Sequence, residues 1–312
     1  MKLSKVYAII LNWNHPGDTI ACLTSLEGLI IKEYKLNVVV VDNGSTDDSV
    51  RRIRNYKAKN FKSEIIENEK NLGFAAGNNI GAEYALSHDA DYLFFLNNDT
   101  LVDSKCIENL IKASESNPEY KILSPKIYFA KGYEFHHKYN KADLGHVVWS
   151  AGGKIDWKNV YAENFGVDLV DSGQFGKNSE TDFATGAAMF VKSGVLKKYG
   201  LFEERYFLYF EDVELCERFK EKGEKVLFVS NAFVWHKVAQ SSGIGSGLND
   251  YFITRNRLMF GMRYAPIRAK AALIKESFRF LFDGRKWQRQ GVIDFYKGKF
   301  FGGSWINVTG RK

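Results

Sequence analysis

Short apolar runs recur along the first hundred residues. Residues 6–11 (VYAIIL), 37–42 (NVVVVD), a weaker 64–66 (EII) and 92–97 (YLFFLN) hold too few polar positions for strands with one wet face. They read as strands covered on both sides. Between them, apolar residues fall at helical spacing in residues 16–26, 50–56, 77–86 and 104–116. The second follows a Ser45-Thr46-Asp47-Asp48 capping cluster, and the last stops at Asn117-Pro118. This alternation predicts an α/β fold with a doubly wound, mostly parallel central sheet and flanking helices. From about Ile122 the periodicity weakens, and residues 128–180 read as loops and short strands, an acceptor-facing insertion. Order returns at 183–191 (FATGAAMFV), in a helix over 213–222 ended by Gly223, and in a strand over 225–230. A glycine-rich linker at 241–247 precedes two helices, 250–264 and 266–282. The expected organisation is a main α/β unit over 1–245, with one half in about 1–100 and the other in about 101–245, followed by a basic, aromatic helical extension over 246–312.

Ligands of doubly wound sheets bind beyond the carboxyl ends of the strands. Each of the first four strands ends in polar residues: Asn12-Trp13-Asn14, Asp42-Asn43-Gly44-Ser45, the stretch 67–74 with Asn68, Asn71 and Gly73, and Asn97-Asn98-Asp99. One such cluster is ordinary turn chemistry. Four along one edge point to a ligand site.

Charge and composition narrow the partners. The 312 residues carry a formal net charge of +7, and the Lys and Arg gather after Arg255, which favours an anionic partner. No nucleic-acid-binding motif accompanies the charge, so a nucleic-acid partner is not expected. Cys22, Cys106 and Cys216 have no metal or disulfide spacing and read as buried free thiols of a reducing compartment. No apolar run reaches the ~18–20 residues of a membrane span, and the N-terminal run reads as a first strand. The expectation is a cytoplasmic protein, peripheral on the inner face of the cytoplasmic membrane if the aromatic and basic residues of 278–301 contact lipid. The same segment would equally serve as a helical cap on the catalytic unit or on a second subunit of a homodimer.

Six strings in order resemble glycosyltransferase family 2: VVVVDNGSTDDS, ENEKNLGFAAGNNIGAEYAL, FLNNDT, FATGAAMFV, YFEDVEL and WHK, spanning roughly residues 5–240. NLGFAAGNNIG and, further on, YFITRNRLMFGMRYAP are similar to its bacterial rhamnosyltransferase branch. The resemblance implies a GT-A type fold and an inverting, metal-dependent transfer from a nucleotide-diphosphate sugar. It implies that Asp42 accepts the imide N–H of uracil or thymine, which is compatible with an Asx-turn there. Asn98 would bind the donor ribose, and Asp99 and His236 would ligate Mg2+ or Mn2+. Asn12, Asn43, Asn68, Asn71, Gly73, Asn78 and Asn97 complete the expected donor site. The acidic triplet of the family is here Asn97-Asn98-Asp99, with a single carboxylate. Asp212, preferred over its neighbour Glu211, would be the base that takes the acceptor proton.

The small residues 185–188 (TGAA) suit either a close sugar approach or a tight strand crossing. Arg255-Asn256-Arg257 suits either phosphate or lipid headgroups, or a solvated helix face. Trp149, Trp157 and His146 are open candidates for acceptor contact. The expected reaction moves a sugar, L-rhamnose from dTDP-L-rhamnose first, onto a hydroxyl of a surface glycan or lipid-linked saccharide. The alternatives are a UDP-sugar-dependent transferase and a non-catalytic sugar-nucleotide or glycan-binding module.

Overall fold

A computed structural model describes residues 3–136, 138–238 and 246–309. The chain opens with β1 (Ser4–Asn12), α1 (Pro16–Glu27), β2 (Tyr34–Asp42), α2 (Ser49–Asn55), β3 (Lys62–Glu67), α3 (Gly73–Ser87) and β4 (Tyr92–Asn97). β5 (Thr100–Val102), α4 (Cys106–Ser116) and β6 (Tyr120–Phe129) follow. Then come the short strands β7 (Val148–Ser150), β8 (Gly153–Asp156), β9 (Tyr161–Asn164) and β10 (Ser179–Glu180). β11 (Ala188–Lys192), α5 (Ser193–Tyr199), a 3-10 turn (Glu204–Tyr206), α6 (Glu211–Lys220) and β12 (Lys225–His236) lead to the helices α7 (Gly247–Tyr264), α8 (Ile267–Asp283), α9 (Lys286–Tyr296) and α10 (Gly303–Thr309).

The main sheet runs β10-β12-β6-β11-β4-β1-β2-β3, with β5 and β7 pairing on β12 and β6. β1, β2, β3 and β4 are mutually parallel, and β11 runs against β4 and β6. Alternate residues of each apolar run feed opposite faces. Ile9, Val39, Val41, Leu93 and Phe95 join one core cluster, and Ala8, Ile10, Val38, Val40, Phe94 and Leu96 join the other. The first face is covered by α3, α5, α6 and residues of α7, α8 and α9; the second by α1, α2 and α4. All three cysteines are buried and free. Register brings the strand ends together: Asn12 lies opposite Asp42, Asp42 opposite Glu67, and Leu11 opposite Asn97.

Five elements differ from the sequence expectation. β6 is an inner strand where periodicity had faded, because Lys121, Ser124, Pro125 and Lys126 break its apolar run. A proline is tolerated there because the β11 ladder stops at Leu123 and β12 shifts register between Val229 and Phe233, opposite Pro125 and Lys126. β12 continues past 230 to His236 through that irregularity. Helix α3 starts at Gly73, ahead of the expected 77, since the Phe207 carbonyl accepts the N–H of Phe74 at 2.6 Å and of Ala75 at 3.3 Å. These N-terminal donors would otherwise lack partners. Two further helices, α9 and α10, follow residue 282. The proposed boundary at 245 and most of the 241–247 linker lie outside the described residues.

The irregular 128–180 region is anchored by a buried ion pair. Lys126 Nζ meets Asp171 Oδ2 at 2.7 Å, both side chains being nearly inaccessible, and Tyr128 Oη donates to the same oxygen at 2.6 Å. Asp171→Asn leaves the Lys126 charge buried without a counter-ion. It is expected to cost about 3–5 kcal/mol in urea denaturation, with Lys126→Met in the same chain recovering most of the loss. A cost under about 1 kcal/mol would mean that water reaches this pair.

Candidate active site

At the joined strand ends the polar side chains are buried and satisfy one another. Asn12 Nδ2 donates to Asp42 Oδ2 at 2.7 Å and to Ser45 Oγ at 3.1 Å, while its Oδ1 accepts Thr19 Oγ1 at 2.6 Å. Asp42 Oδ1 accepts the Ser45 N–H three residues on at 2.8 Å, and Oδ2 accepts Ser45 Oγ at 2.7 Å. Asp42 is almost fully buried, yet two carboxylate oxygens offer about four acceptor positions and three are used.

Asn43 stitches β2 to the loop before α3. Its Nδ2 donates to Asn71 Oδ1 at 3.0 Å and the Gly73 carbonyl at 3.1 Å; its Oδ1 accepts Asn68 Nδ2 at 3.0 Å and the Leu72 N–H at 3.1 Å. All four hydrogen-bonding positions of this amide are thus used within the chain. Gly73 has φ +86, and a Cβ there would fall 2.4 Å from the Phe207 ring. Asn78 Nδ2 donates to the Phe74 carbonyl at 3.0 Å, and its buried Oδ1 has no partner. Asn98 Nδ2 donates to Thr19 Oγ1 at 3.1 Å.

Asp99 and His236 are 137 positions apart in sequence and 3.0 Å apart in space, Oδ1 to Nε2. Antiparallel pairing of β5 with β12 sets Thr100 opposite His236 and so delivers the turn residue Asp99 beside the imidazole. Burial would raise the Asp99 pKa, but the charge and hydrogen bond of His236, with Lys237 behind them, hold it below the usual carboxylate value. Asn97 Nδ2 lies 3.5 Å from His236 Nε2. Trp149 packs edge-on against the imidazole, centroids 4.5 Å apart, and Lys237 Nζ pairs with Asp18 Oδ1 at 2.8 Å. The described residues hold no group of three or more His, Cys, Asp or Glu side chains able to enclose a metal ion alone. Asp99 and His236 supply one oxygen and one nitrogen side chain, and His236 Nδ1 is buried without a partner. This donor set fits Mg2+ or Mn2+ whose remaining ligands come from substrate oxygens.

Asp212 sits in the first turn of α6. Its Oδ2 accepts the Gly186 N–H and its Oδ1 the Val213 N–H, both at 2.8 Å. Burial raises its pKa above the ordinary aspartate value even against these bonds. The segment 185–188 joins the two halves of the site. Gly186 binds Asp212, and the next residue, Ala187, accepts the Asn97 N–H at 3.0 Å. Glu211 is more deeply buried, its Oε2 has no partner, and burial together with the Asp212 charge pushes its pKa well above the ordinary value. A carboxyl that keeps its proton is a poor base, whereas Asp212 has N–H donors that favour its anion.

Some residues took places the sequence did not indicate. Arg255, Asn256 and Arg257 are buried, so they form neither a solvated face nor a headgroup site. Trp157 stacks on the core ring of Phe260 at 5.6 Å, and His146 packs edge-on to Tyr128, while Trp149 alone of the three meets the site through His236. Thr19, Ser45, Asp18 and Lys237 were missed as site builders; only Ser45, inside the string NGST, and Lys237, inside WHK, carried a sequence signal.

The family described as Glycosyl transferase family 2 matches residues 7–199. The hexosyltransferase Agl10 of low-salt glycan biosynthesis in Haloferax volcanii is 24% identical over 217 residues, 69% of this chain and 62% of that protein. The N-acetylglucosaminyl-diphospho-decaprenol L-rhamnosyltransferase of Mycobacterium tuberculosis is 25% identical, covering 68% of this chain and 69% of its own length. The dTDP-rhamnosyl transferase RfbF of Shigella flexneri is also 25% identical, covering 79% and 73%. Among solved structures, GalNAc-T7 with UDP, GalNAc and Mn2+ superposes with a TM-score of 0.59 at 15% identity, covering 95% of this chain and 57% of that one. S. aureus TarS 1-349 with UDP-GlcNAc gives 0.57 at 14%, covering 93% and 79%. The fold is of the GT-A type. The chain thus spans under two thirds of the Agl10 and GalNAc-T7 chains.

The Glu211 proton has a measurable consequence. The folded chain keeps a proton that the unfolded chain releases above about pH 4.3, so stability from this group is lost as pH rises from there toward the folded pKa. Glu211→Gln removes that slope. As the pH rises from about 5, the difference in urea midpoints is expected to grow in the variant's favour. Parallel pH profiles for the two proteins would mean that Glu211 is ionised in the fold.

Proposed function

Because the chain belongs to glycosyl transferase family 2, on its rhamnosyltransferase-like branch, we propose that it performs an inverting sugar transfer from a nucleotide diphosphate to a saccharide hydroxyl. The observation behind this reading is the linkage of the Asp99–His236 pair to Asp212 through residues 185–187 at one edge of the sheet. The donor base lies at the ends of β1 and β2. Asp42 offers its remaining acceptor position to the imide N–H that uracil and thymine share, so a dTDP-sugar and a UDP-sugar both fit. dTDP-L-rhamnose is the donor of choice, since RfbF is a dTDP-rhamnosyl transferase. Asn12 and Asn43, whose amides are engaged within the chain, hold Asp42 and the 68–73 loop in shape. The loop and Asn98 face the remainder of the nucleotide.

Asp99 and His236 would hold Mg2+ or Mn2+, and the ion, when bound, neutralises charge on the departing diphosphate as a Lewis acid. Asp212 accepts the proton of the acceptor hydroxyl as its oxygen bonds to the anomeric carbon, on the face opposite the breaking bond to the diphosphate. That geometry inverts the anomeric centre. The N–H groups of Gly186 and Val213 keep the carboxylate aimed and counter the effect of burial on its pKa. The Mycobacterium relative acts on a sugar linked through diphosphate to decaprenol, which supports a lipid-linked saccharide or growing surface glycan as acceptor.

Contact with a lipid surface follows from α8. Among the described residues no helix is long and apolar enough to cross a membrane. The outer stripe of α8 exposes Ile267 (80%), Ile274 (37%), Phe278 (53%) and Phe282 (77%), with Arg268, Lys275 and Arg279 exposed beside it. An apolar stripe flanked by cations suits an anionic bilayer. This stripe begins before the 278–301 segment expected from sequence, and within that segment Trp287 and Phe295 pack inward instead.

Calorimetric titration with dTDP, UDP and GDP, with and without Mn2+, tests the donor site. Metal-enhanced binding of dTDP or UDP is expected, and binding of none of the three removes the reading. Asp212→Asn should keep that binding and lose turnover by about 10²–10⁴-fold; unchanged turnover would exclude Asp212 as the base. Vesicles containing anionic lipid should retain the protein at low salt and release it at high salt. The triple variant Ile274→Glu, Phe278→Glu, Phe282→Glu should not bind. Wild-type protein that ignores such vesicles at low salt would remove the membrane contact.

A further inference from the structure

The segment that carries Asp212 into the site has an unfavourable backbone. Phe207 (φ 65, ψ −57), Tyr209 (φ 69) and Phe210 (φ 72) lie in the left-handed half of conformational space, and none is glycine. Three such residues in four positions persist only where the surroundings over-determine them. Phe210 is also the N-cap of α6 and has no side-chain capping bond; its carbonyl accepts the Glu214 N–H at 2.8 Å. Its conformation therefore sets the direction of the first turn of α6, where Asp212 sits.

The surroundings that hold this segment come from α7, in the extension expected to lie beyond the catalytic unit. Asn256 is fully buried, and its Nδ2 lies 2.8 Å from each of the carbonyl oxygens of Tyr206, Leu208 and Tyr209. Arg255 is fully buried beside it. Its Nη2 reaches the carbonyls of Tyr206 at 3.0 Å and Arg205 at 3.3 Å, its Nη1 the carbonyl of Phe301 at 2.6 Å, and its Nε the Asn256 Oδ1 at 3.0 Å. Arg255 makes no salt bridge among the described residues; main-chain carbonyls and Asn256 Oδ1 bond its guanidinium, and Tyr251 and Asp294 favour its charge against burial. Two turns earlier, Asn249 Oδ1 accepts the Tyr209 hydroxyl at 2.6 Å. From the opposite side, α3 grips the same segment: Phe74 N–H on the Phe207 carbonyl, and Asn79 bonded to both the N–H and the carbonyl of Phe202.

We propose that Arg255 and Asn256 are positioning residues for the transfer step: they hold the 206–210 backbone in its left-handed course and thereby aim Asp212. The inference rests on the assignment of Asp212 as the base. The three carbonyls on Asn256 all belong to the strained stretch, and relaxation of Tyr209 or Phe210 toward extended geometry would carry those carbonyls away from α7. The base-binding set of Asn12, Asp42, Asn43 and Ser45 shares no hydrogen bond with Arg255 or Asn256, and its link to the clamped segment is indirect, through the start of α3, where Asn43 bonds the Gly73 carbonyl and the Phe74 N–H bonds the Phe207 carbonyl. Loss of the clamp is therefore read more in the chemical step than in donor affinity.

Asn256→Ala removes the donors, and Asn256→Asp keeps the size but sets a carboxylate oxygen against the three carbonyls in place of the N–H groups. Both are expected to lower kcat by at least tenfold, since displacement of a catalytic group by about 1 Å can cost 10²-fold. The donor KM and the dTDP affinity should stay within about twofold of wild type. Arg255→Lys, which keeps a cation but not the planar fork, should fall the same way by less. A second readout does not need turnover. Amide hydrogen exchange at Gly186 and Val213, the two N–H groups on Asp212, should accelerate in the variants, while exchange at Asn43 and Ser45 does not. Unchanged kcat, or losses of kcat and nucleotide affinity in parallel, would overturn the proposal. Inactive wild-type protein with accelerated exchange in the variants would retain the clamp and reject Asp212 as the base.

Discussion

Buried polar groups must find hydrogen-bond partners, and at the carboxyl edge of this sheet they find one another. Because β1, β2 and β4 are covered on both faces, their last side chains cannot turn back to water. Asn12, Asp42, Asn43 and Ser45 form a closed set that fixes the course of the 68–73 loop, the start of α3 and the depth at which Asp42 lies. Such a hydrogen-bonded network is rigid. The proposed donor recognition depends on that rigidity, since the one remaining acceptor position on Asp42 could read an imide only if the carboxylate does not rotate.

The reacting half follows a different physical rule. Here groups are left short of partners: the Nδ1 of His236, the Oε2 of Glu211, the Oδ1 of Asn78. Adjacent carboxyls in one buried turn cannot both ionise at low cost, and the structure separates them by neighbours. Glu211 has no donor at Oε2 and holds its proton, whereas Asp212 meets the N–H groups of Gly186 and Val213. The proposed choice of base between two neighbours in the string YFEDVEL thus rests on hydrogen bonding, not on position in the helix.

The C-terminal helices belong to the same physical unit as the site. Phe260, Leu273 and Val292 pack in one cluster with Phe95, Tyr206 and Phe210. The basic character of this region divides by depth. Arg255 and Arg257 are consumed by main-chain carbonyls and, for Arg257, by Glu276 at 2.7 Å, while Arg268, Lys275 and Arg279 remain on the outer face of α8. One run of sequence charge therefore serves two ends, a backbone clamp inside and a cationic border outside.

The sequence by itself determined the elements whose signals are local. Continuous apolar runs marked β1, β2 and β4, helical spacing marked α1, α4 and α7, and the strings around Asp42, Asp99, Asp212 and His236 marked the family and the edge where a ligand would lie. What it did not determine depended on partners distant in the chain. β6 was obscured by Pro125 and Lys126, tolerable only where β11 ends and β12 shifts register. The true start of α3 needed the Phe207 carbonyl, and the meeting of Asp99 with His236 needed the β5–β12 pairing. Arg255 and Asn256 looked like surface because polar residues in a helix usually face water. Only the tertiary structure places the carbonyls of a left-handed segment where those side chains can bury against them, because hydrogen bonds between distant segments leave no periodicity in the sequence.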